Sequence, residues 1–490
     1  MRSLIGGLLC ALTALPLWPT PGTVKAAADA SADKPPMVKL VLQPAVAPRR
    51  ALQYQLLPPV IDRKPGNAAV LYNRVPAEQA DFFSKFYSEG GPWAKIEKWL
   101  EVPLGDPREK ELRRPEWTSL LGGVIFEDLD RAARCESCDW QLPLREQMFF
   151  SIRLPELQQT RSYARLLTAK ARLEIAEGRF EDALHTLQTG YALSRHVAQG
   201  QTLIHNLVGI AICNMMSKRL EDWAQQPGAP NLYWALTWLP RPLLDQRPAM
   251  ETEMYCLYFS FPDLRDLDKA KHPPEQWNEL LRKTVDRLFQ MSDSVPSLPR
   301  PVLSTAMVLR GYPMARRALI EGGRPAAEVE AMPVAQVVLI YTMETYEELR
   351  DAMFKWYAVP YAQAREGAKR SQQTFEEATR LGNREILPFA SVLLPAIESA
   401  HFASVKNERA IAMLRVIEAL RLYGAAHEGR LPDDLAEITE VPIPSDPVTG
   451  KPFAYQHTSG TAVLEAPFVP GREAKVYGAR YEIKFATKGK

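Results

Sequence analysis

Closely spaced carboxylates are the residues of this chain best placed for acid–base chemistry. Four of them fall within one short stretch: Glu344, Glu347, Glu348 and Asp351. The pairs Glu344/Glu348 and Glu347/Asp351 are each four residues apart, a spacing that places both members on one face of a helix. Such a pair can serve as general acid and general base in hydrolysis. Because Arg350 lies among them, a solvated, charged helix face is the simpler interpretation.

Two cysteines form a Cys-x-x-Cys pair, Cys135 and Cys138. In an oxidising compartment such a pair closes a small disulfide loop, and otherwise it is two structural thiols. Asp139 follows where a c-type haem site needs histidine, and no second ligand pair completes a zinc site. We expect a disulfide or two structural thiols here, with redox or metal chemistry as the less favoured alternative. The sequence predicts no metal site and no other cofactor.

Two aromatic-rich runs are candidates for a ligand groove. The residues concerned are Tyr233, Trp234, Trp238, Trp356 and Tyr357. Exposed aromatic rings of this kind can line a groove for a peptide or a glycan. Packing of helix ends in the core explains the same residues, since aromatic side chains mostly serve burial.

Several enzyme signatures are missing from the sequence. It contains no Gly-x-Ser-x-Gly nucleophile elbow and no glycine-rich phosphate or dinucleotide loop. The 60 basic and 58 acidic residues give a net charge of +2, which offers no electrostatic reason to expect a nucleic-acid partner. A catalytic role is therefore uncertain, and a non-catalytic one is favoured.

The N-terminus has the pattern of a secretory signal. Arg2 provides the positive start, Leu4 to Leu17 an apolar run, and Val24-Lys25-Ala26 a small-x-small cleavage site. We therefore predict a signal peptide over 1–26 and an exported, periplasmic or envelope-associated protein. An uncleaved anchor is the alternative. No later stretch is apolar and long enough to suggest a membrane span.

The elements that must position these residues are mainly helical. The 41 prolines open or end most helical patterns, which predicts many short helices. We expect a flexible Ala/Pro-rich tether over 27–50 and an α-helical body over 51–400 with a helical hairpin at 156–197. A long helix and a small antiparallel sheet follow over 401–490, since the turn Ser459-Gly460 and the alternation of Tyr481, Ile483 and Phe485 indicate strands. The fold class is mainly α, with a small C-terminal α+β module.

Two segments of the chain resemble parts of known protein families. Ala171 to Leu193 resembles a tetratricopeptide repeat, with a turn at Gly178 and small residues that allow close helix contact. The segment Glu428-Gly429-Arg430-Leu431-Pro432, followed by Pro444-Ser445-Asp446-Pro447, looks like the part of type II secretion pseudopilins that follows their helix.

Over nearly the whole chain the sequence is similar to a family of exported proteins of planctomycete bacteria. The similarity is carried by runs such as Cys138-Asp139-Trp140, Pro230-Asn231-Leu232 and Met332-Pro333-Val334. This resemblance implies a location and a fold, without an activity.

Together these observations predict a non-catalytic binding or scaffolding protein of the bacterial cell envelope. Its partners would be envelope proteins or peptides, and its oligomeric state stays open. Two alternatives remain: an envelope hydrolase that uses helix carboxylates such as Glu344 and Glu348, and an accessory factor of a type II secretion-like apparatus.

Overall fold

Helices make up 63 % of the structure, which confirms the predicted mainly α fold. The computed structural model describes residues 35–104, 106–290, 300–380, 384–394, 396–466 and 478–486. The signal peptide predicted over 1–26 lies outside these described residues.

The chain divides into two compact units. The first includes Leu142–Arg153 and Met250–Phe402, and the second includes the described residues of Thr23–Gln141, Leu154–Ala249 and Ala403–Lys490. This division differs from the predicted body over 51–400. Part of that predicted body forms a unit of its own, and the rest groups with the C-terminal segment.

The second unit contains ten helices before its C-terminal segment, among the residues described. They are α1 (Ala68–Glu78), α2 (Ala80–Phe86), α3 (Pro92–Glu101), α4 (Pro107–Leu112), α5 (Glu116–Leu120), α6 (Val124–Ala133), α7 (Pro155–Ala176), α8 (Phe180–Ala198), α9 (Leu203–Ala224) and α10 (Tyr233–Thr237). The helices α7, α8 and α9 pack against one another.

The two helices predicted over 156–197 are α7 and α8. Pro155 opens α7, where its missing N–H group costs nothing. Gly178, with φ of +73°, ends the turn between the helices. A Cβ atom at Gly190 would lie 2.1 Å from the Met216 sulfur, so the close approach of α8 and α9 requires glycine at this position.

The first unit is built around one buried helix. Its helices are most of α11 (Arg247–Ser260), then α12 (Pro274–Gln290), α13 (Arg300–Glu321), α14 (Ala326–Ala331), α15 (Val334–Phe354), α16 (Tyr361–Thr379) and α17 (Phe389–Leu393). The central helix α15 contacts α12, α13, α16 and α17. Its apolar residues from Val337 to Ile340 are fully or almost fully buried.

The C-terminal segment consists of a long helix and a sheet, as predicted. The helix α18 (Ala396–Ala426) contributes its residues from Ala403 onward to the second unit. The strands β4 (Ala454–Thr458), β5 (Thr461–Ala466) and β6 (Ala479–Phe485) form antiparallel pairs. The turn between β4 and β5 is Ser459-Gly460, where both residues have positive φ, as a tight hairpin turn requires.

One strand of this sheet comes from the predicted tether. Residues Met37–Leu42 form β1, which pairs in parallel with β6, so the sheet order is β1-β6-β5-β4. The prediction of a flexible tether over 27–50 is therefore wrong for these residues. The alternating side chains Leu40 and Leu42 are buried, 2 % and 0 % exposed, and their burial stabilises the strand. A second, two-stranded parallel sheet pairs β2 (Lys64–Asn67) with β3 (Cys135–Ser137).

Candidate functional site

The five residues of the predicted aromatic groove do not form one groove within either unit. Tyr233, Trp234 and Trp238 belong to the second unit, and Trp356 and Tyr357 belong to the first. The Tyr233 ring is fully buried, and its hydroxyl donates to the Pro442 carbonyl. Trp238 is 64 % exposed and is the one ring of its run that faces solvent broadly.

Trp356 and Tyr357 are anchored to their own unit. The Trp356 ring donates from Nε1 to the Ser371 hydroxyl at 2.8 Å. A Cβ atom at Gly367 would lie 2.0 Å from the same ring, so the indole packs directly on α16. The Tyr357 hydroxyl donates to the Ile397 carbonyl. Packing at helix ends, the alternative explanation of these rings, accounts for both half-buried side chains.

The Cys-x-x-Cys pair is two buried thiols. Cys135 and Cys138 are both free, so the structure contains no disulfide at this position and agrees with the alternative of structural thiols. Burial raises the pKa of both thiols, whereas a reactive cysteine has a lowered pKa. Among the residues that the structure describes, no group of three or more His, Cys, Asp or Glu side chains is arranged to hold a metal ion.

Glu344 and Glu348 of α15 lie on a charged, solvated face. The Glu344 side chain is 48 % exposed and pairs with Arg324 at 2.8 Å. The Glu348 side chain is 62 % exposed and pairs with Arg384. Each of these two carboxylates is therefore neutralised by an arginine at the surface. This arrangement agrees with the simpler interpretation of the pattern.

A cleft of about 430 Å³ lies in the C-terminal segment of the second unit, where the sequence indicated no site. It is lined by the end of α18, the loop after it, the β4–β5 hairpin and the end of β6. The lining residues are Tyr423, His427, Gly429, Arg430, Leu431, Asp433, Glu437, His457, Gly460 and Phe485.

The end of α18 forms one wall of the cleft. Gly429, with φ of +80°, donates its N–H to the Gly424 carbonyl at 2.7 Å, which stops the helix. A Cβ atom at Gly424 would lie 2.3 Å from the Phe485 ring, so this glycine lets the helix contact β6 closely. The Tyr423 and His427 rings, one helical turn apart, stack with centroids 3.9 Å apart.

Two carboxylates form a second, acidic wall of the cleft. Asp433 and Glu437 are exposed, and the Glu437 carboxylate accepts a hydrogen bond from the Tyr423 hydroxyl at 3.2 Å. Partial burial and this carboxylate together raise the pKa of Tyr423, so the hydroxyl stays protonated. Arg430 is the one Lys or Arg among the lining residues, and its Nε atom donates to the His427 carbonyl at 3.3 Å.

His457 connects the sheet to the acidic wall. Its Nδ1 atom lies 2.8 Å from an Asp433 carboxylate oxygen. Its Nε2 atom is enclosed and has no hydrogen-bond partner. A general base must reach the proton that it removes, and neither ring nitrogen is open to a ligand in this arrangement. The lining residues also include no Ser, Thr or Cys nucleophile.

A buried ion pair fixes the loop that leads from α18 to β4. Asp446 is 0 % exposed and accepts from both Nε and Nη2 of Arg409, at 2.9 and 2.7 Å. It also accepts from the Val448 N–H at 2.9 Å. A turn follows Asp446, in which the Gly450 N–H donates to the Asp446 carbonyl. These donors occupy the carboxylate, so it is a structural group.

Buried histidines form a second polar cluster, inside the helical layer. The Nε2 atom of His196 lies 3.2 Å from the Cys135 carbonyl, and its Nδ1 atom lies 3.1 Å from the Tyr72 hydroxyl. Since a carbonyl only accepts, Nε2 carries the proton and Nδ1 accepts from Tyr72. Burial, followed by the charge of Arg195, lowers the pKa of His196 to about 4. His205 lies 3.0 Å from the Glu156 carboxylate in the same layer.

The comparisons with known proteins add no identification. No protein family, curated protein or solved structure matches this chain. Within the described part of the chain, no helix combines the length and apolar character that crossing a membrane requires.

Proposed function

We propose that this protein is a non-catalytic binding component of the bacterial cell envelope and that the C-terminal cleft holds a cationic side chain of a partner. The partner would be a protein or peptide that presents lysine or arginine. The observation that supports this proposal most is the meeting of two carboxylates and two stacked rings in one cleft of about 430 Å³.

Three features favour a cation in this cleft. Asp433 and Glu437 supply negative charge, and Arg430 is the one Lys or Arg among the lining residues. The cleft lies at the C-terminal end of α18, where the aligned peptide dipoles add partial negative charge. The ring of Tyr423 offers an aromatic face, which attracts ammonium and guanidinium groups.

The same geometry favours binding over acid–base catalysis. The His457 nitrogens are taken up by Asp433 or enclosed, and Glu344 and Glu348 of α15 are paired with arginines at the surface. Export to the envelope rests on the sequence alone, through the signal pattern over 1–26.

Binding of fluorescein-labelled hexalysine, followed by fluorescence anisotropy, tests the proposal. The double variant Asp433→Asn/Glu437→Gln should weaken the affinity by about tenfold, because each exposed ion pair contributes modestly. The variant Tyr423→Leu should weaken it by about threefold, since a cation–π contact is lost. Labelled hexaglutamate should not bind.

Glu89 and Glu111 supply the matched control. Both are exposed carboxylates of the second unit that do not line the cleft. The variant Glu89→Gln/Glu111→Gln removes the same two negative charges and should change the affinity by less than about twofold at physiological salt, because exposed charges are screened. An equal loss in this control and in Asp433→Asn/Glu437→Gln would mean non-specific charge attraction and would contradict the proposal.

A role as an accessory factor of a secretion apparatus is a second candidate. It is favoured by the position of the cleft within the segment that resembles pseudopilins. Removing the whole segment is a poor test, because Arg421 of α18 is fully buried and donates to the carbonyls of Gln43 and Ala229. The variant Asp433→Asn/Glu437→Gln, assayed for secretion in cells, tests this role without removing part of the core.

A further inference from the structure

The helix α13 of the first unit has apolar residues on two opposite faces. On one face, Gly311, Ala315 and Leu319 are buried, and α13 packs against α15. A Cβ atom at Gly311 would lie 2.6 Å from the Ile386 side chain, so this face is closely covered. Because this face of α13 is covered, the residues on the opposite side of the helix face solvent.

The opposite face carries a solvent-exposed aliphatic stripe. It consists of Val302, Ala306, Leu309 and Pro313, which follow one another at intervals of four, three and four residues. At about 100° per residue these four positions fall within an arc of about 60°. Val302 is 52 % exposed and Leu309 is 70 % exposed, whereas the solvent side of a surface helix is normally polar.

Cations border this aliphatic stripe. Arg310 and Arg317 are exposed on one side of it. The helix contains four arginines and a single acidic residue, Glu321, at its last position. Arg316, on the other side of the stripe, pairs with Glu330, so the positive charge beside the stripe comes from Arg310 and Arg317. An aliphatic stripe beside these two arginines matches the chemistry of an anionic bilayer surface.

We infer that α13 docks the protein on an anionic lipid surface. The aliphatic stripe enters the boundary between headgroups and acyl chains, and Arg310 and Arg317 contact lipid phosphates. The helix lies in the plane of the membrane without crossing it. This surface belongs to the first unit, so the inference does not depend on the cleft in the second unit.

Vesicle co-sedimentation tests the inference. The probe is a vesicle of equal parts phosphatidylglycerol and phosphatidylcholine, compared with one of phosphatidylcholine alone. Both the full chain and a chain beginning at Ala27 are measured, which separates any contribution of the apolar run Leu4 to Leu17. Removing residues 1–26 removes none of the residues that the structure describes.

The expected result is stronger binding to the anionic vesicles. The variant Val302→Ser/Leu309→Ser should lower the partition coefficient by about tenfold. The variant Arg310→Gln/Arg317→Gln should lower it by about twentyfold on anionic vesicles, since each arginine near such a surface contributes about fivefold. On phosphatidylcholine alone the arginine variant should match the wild type.

Matched controls come from the same unit. Val334→Ser changes an exposed aliphatic residue at the start of α15, 43 % exposed. Arg370→Gln changes an exposed arginine of α16. Neither should alter binding. Equal binding of the chain beginning at Ala27 to both vesicle types, or wild-type binding by Val302→Ser/Leu309→Ser, would overturn the inference. Analytical ultracentrifugation tests the competing explanation, a dimer that forms through the stripe. If Val302→Ser/Leu309→Ser makes a dimer dissociate while vesicle binding is unchanged, the stripe is a contact between two copies and the inference of a lipid surface is wrong.

Discussion

The buried histidine of α8 makes the stability of the second unit depend on pH in a calculable way. His196 is 5 % exposed, and its ring accepts from Tyr72 and donates to the Cys135 carbonyl. The structure therefore holds it as a neutral base. Burial lowers its pKa from 6.5 to about 4.

The sign and size of the effect follow from linkage. Above about pH 6.5 neither the folded nor the unfolded chain protonates this histidine, and its contribution to stability is complete. Between about pH 6.5 and about pH 4 the unfolded chain binds a proton at this histidine and the folded chain does not. The free energy of unfolding therefore decreases as the pH is lowered. At about 1.4 kcal/mol for each unit of pKa difference, the total loss is about 3 kcal/mol.

The variant His196→Gln isolates this contribution, because an amide does not take up the proton. The difference in unfolding free energy, wild type minus variant, should decrease by about 3 kcal/mol when the pH is lowered from about 7 to about 4. Urea-dependent hydrogen exchange of peptides from α8 measures unfolding of this unit alone. The control replaces His427 with glutamine, since this histidine belongs to the same unit and its side chain is 42 % exposed; this variant should keep the pH dependence of the wild type. If His196→Gln and the wild type lose stability in parallel, the histidine is not held as a neutral base and the reasoning is wrong.

Two further predictions concern packing and buried charge in the second unit. Gly190→Ala should destabilise the packing of α8 on α9 by about 1–3 kcal/mol, because the new Cβ atom overlaps Met216. In a double-mutant cycle with Met216→Ala, measured by urea unfolding, most of this loss should disappear. Purely additive losses would contradict the contact. Asp446→Ala should lower the free energy of unfolding by about 3–5 kcal/mol, because it removes the buried counter-charge of Arg409. Glu78→Ala, which breaks an exposed ion pair, should lower it by less than about 1 kcal/mol in the same assay. Similar losses in the two variants would contradict the distinction between buried and exposed ion pairs.

The parts of the fold that the sequence predicts depend on short-range patterns. The helices α7 and α8 follow from apolar residues at helical spacing and from the turn at Gly178. The β4–β5 hairpin follows from Ser459-Gly460 between alternating segments. In both cases the residues that determine the element are neighbours in the chain.

The features that the sequence does not reveal depend on contacts between distant residues. The strand β1 pairs with β6, where Met37 lies opposite Arg480, and no local signal connects the two ends of the chain. The cleft joins a helix end, a loop and two strands, so its residues are scattered in sequence. A local signal existed for both walls, since Tyr423 and His427 are four residues apart on a helix and Asp433 and Glu437 follow closely. The aromatic runs were misleading because a buried tyrosine such as Tyr233 and an exposed tryptophan such as Trp238 have the same signature in sequence.

The most direct test of the central claim is to locate a bound cation on the protein itself. The chain has seven histidines, and two of them, His427 and His457, line the cleft. Selective ¹³C labelling of the histidine rings gives one NMR signal for each of them. Unlabelled hexalysine should shift the signals of His427 and His457, leave the other five unchanged, and lose this effect in Asp433→Asn/Glu437→Gln. Shifts spread over His185 and His272 at the surface, or no shift at either cleft histidine, would contradict the account.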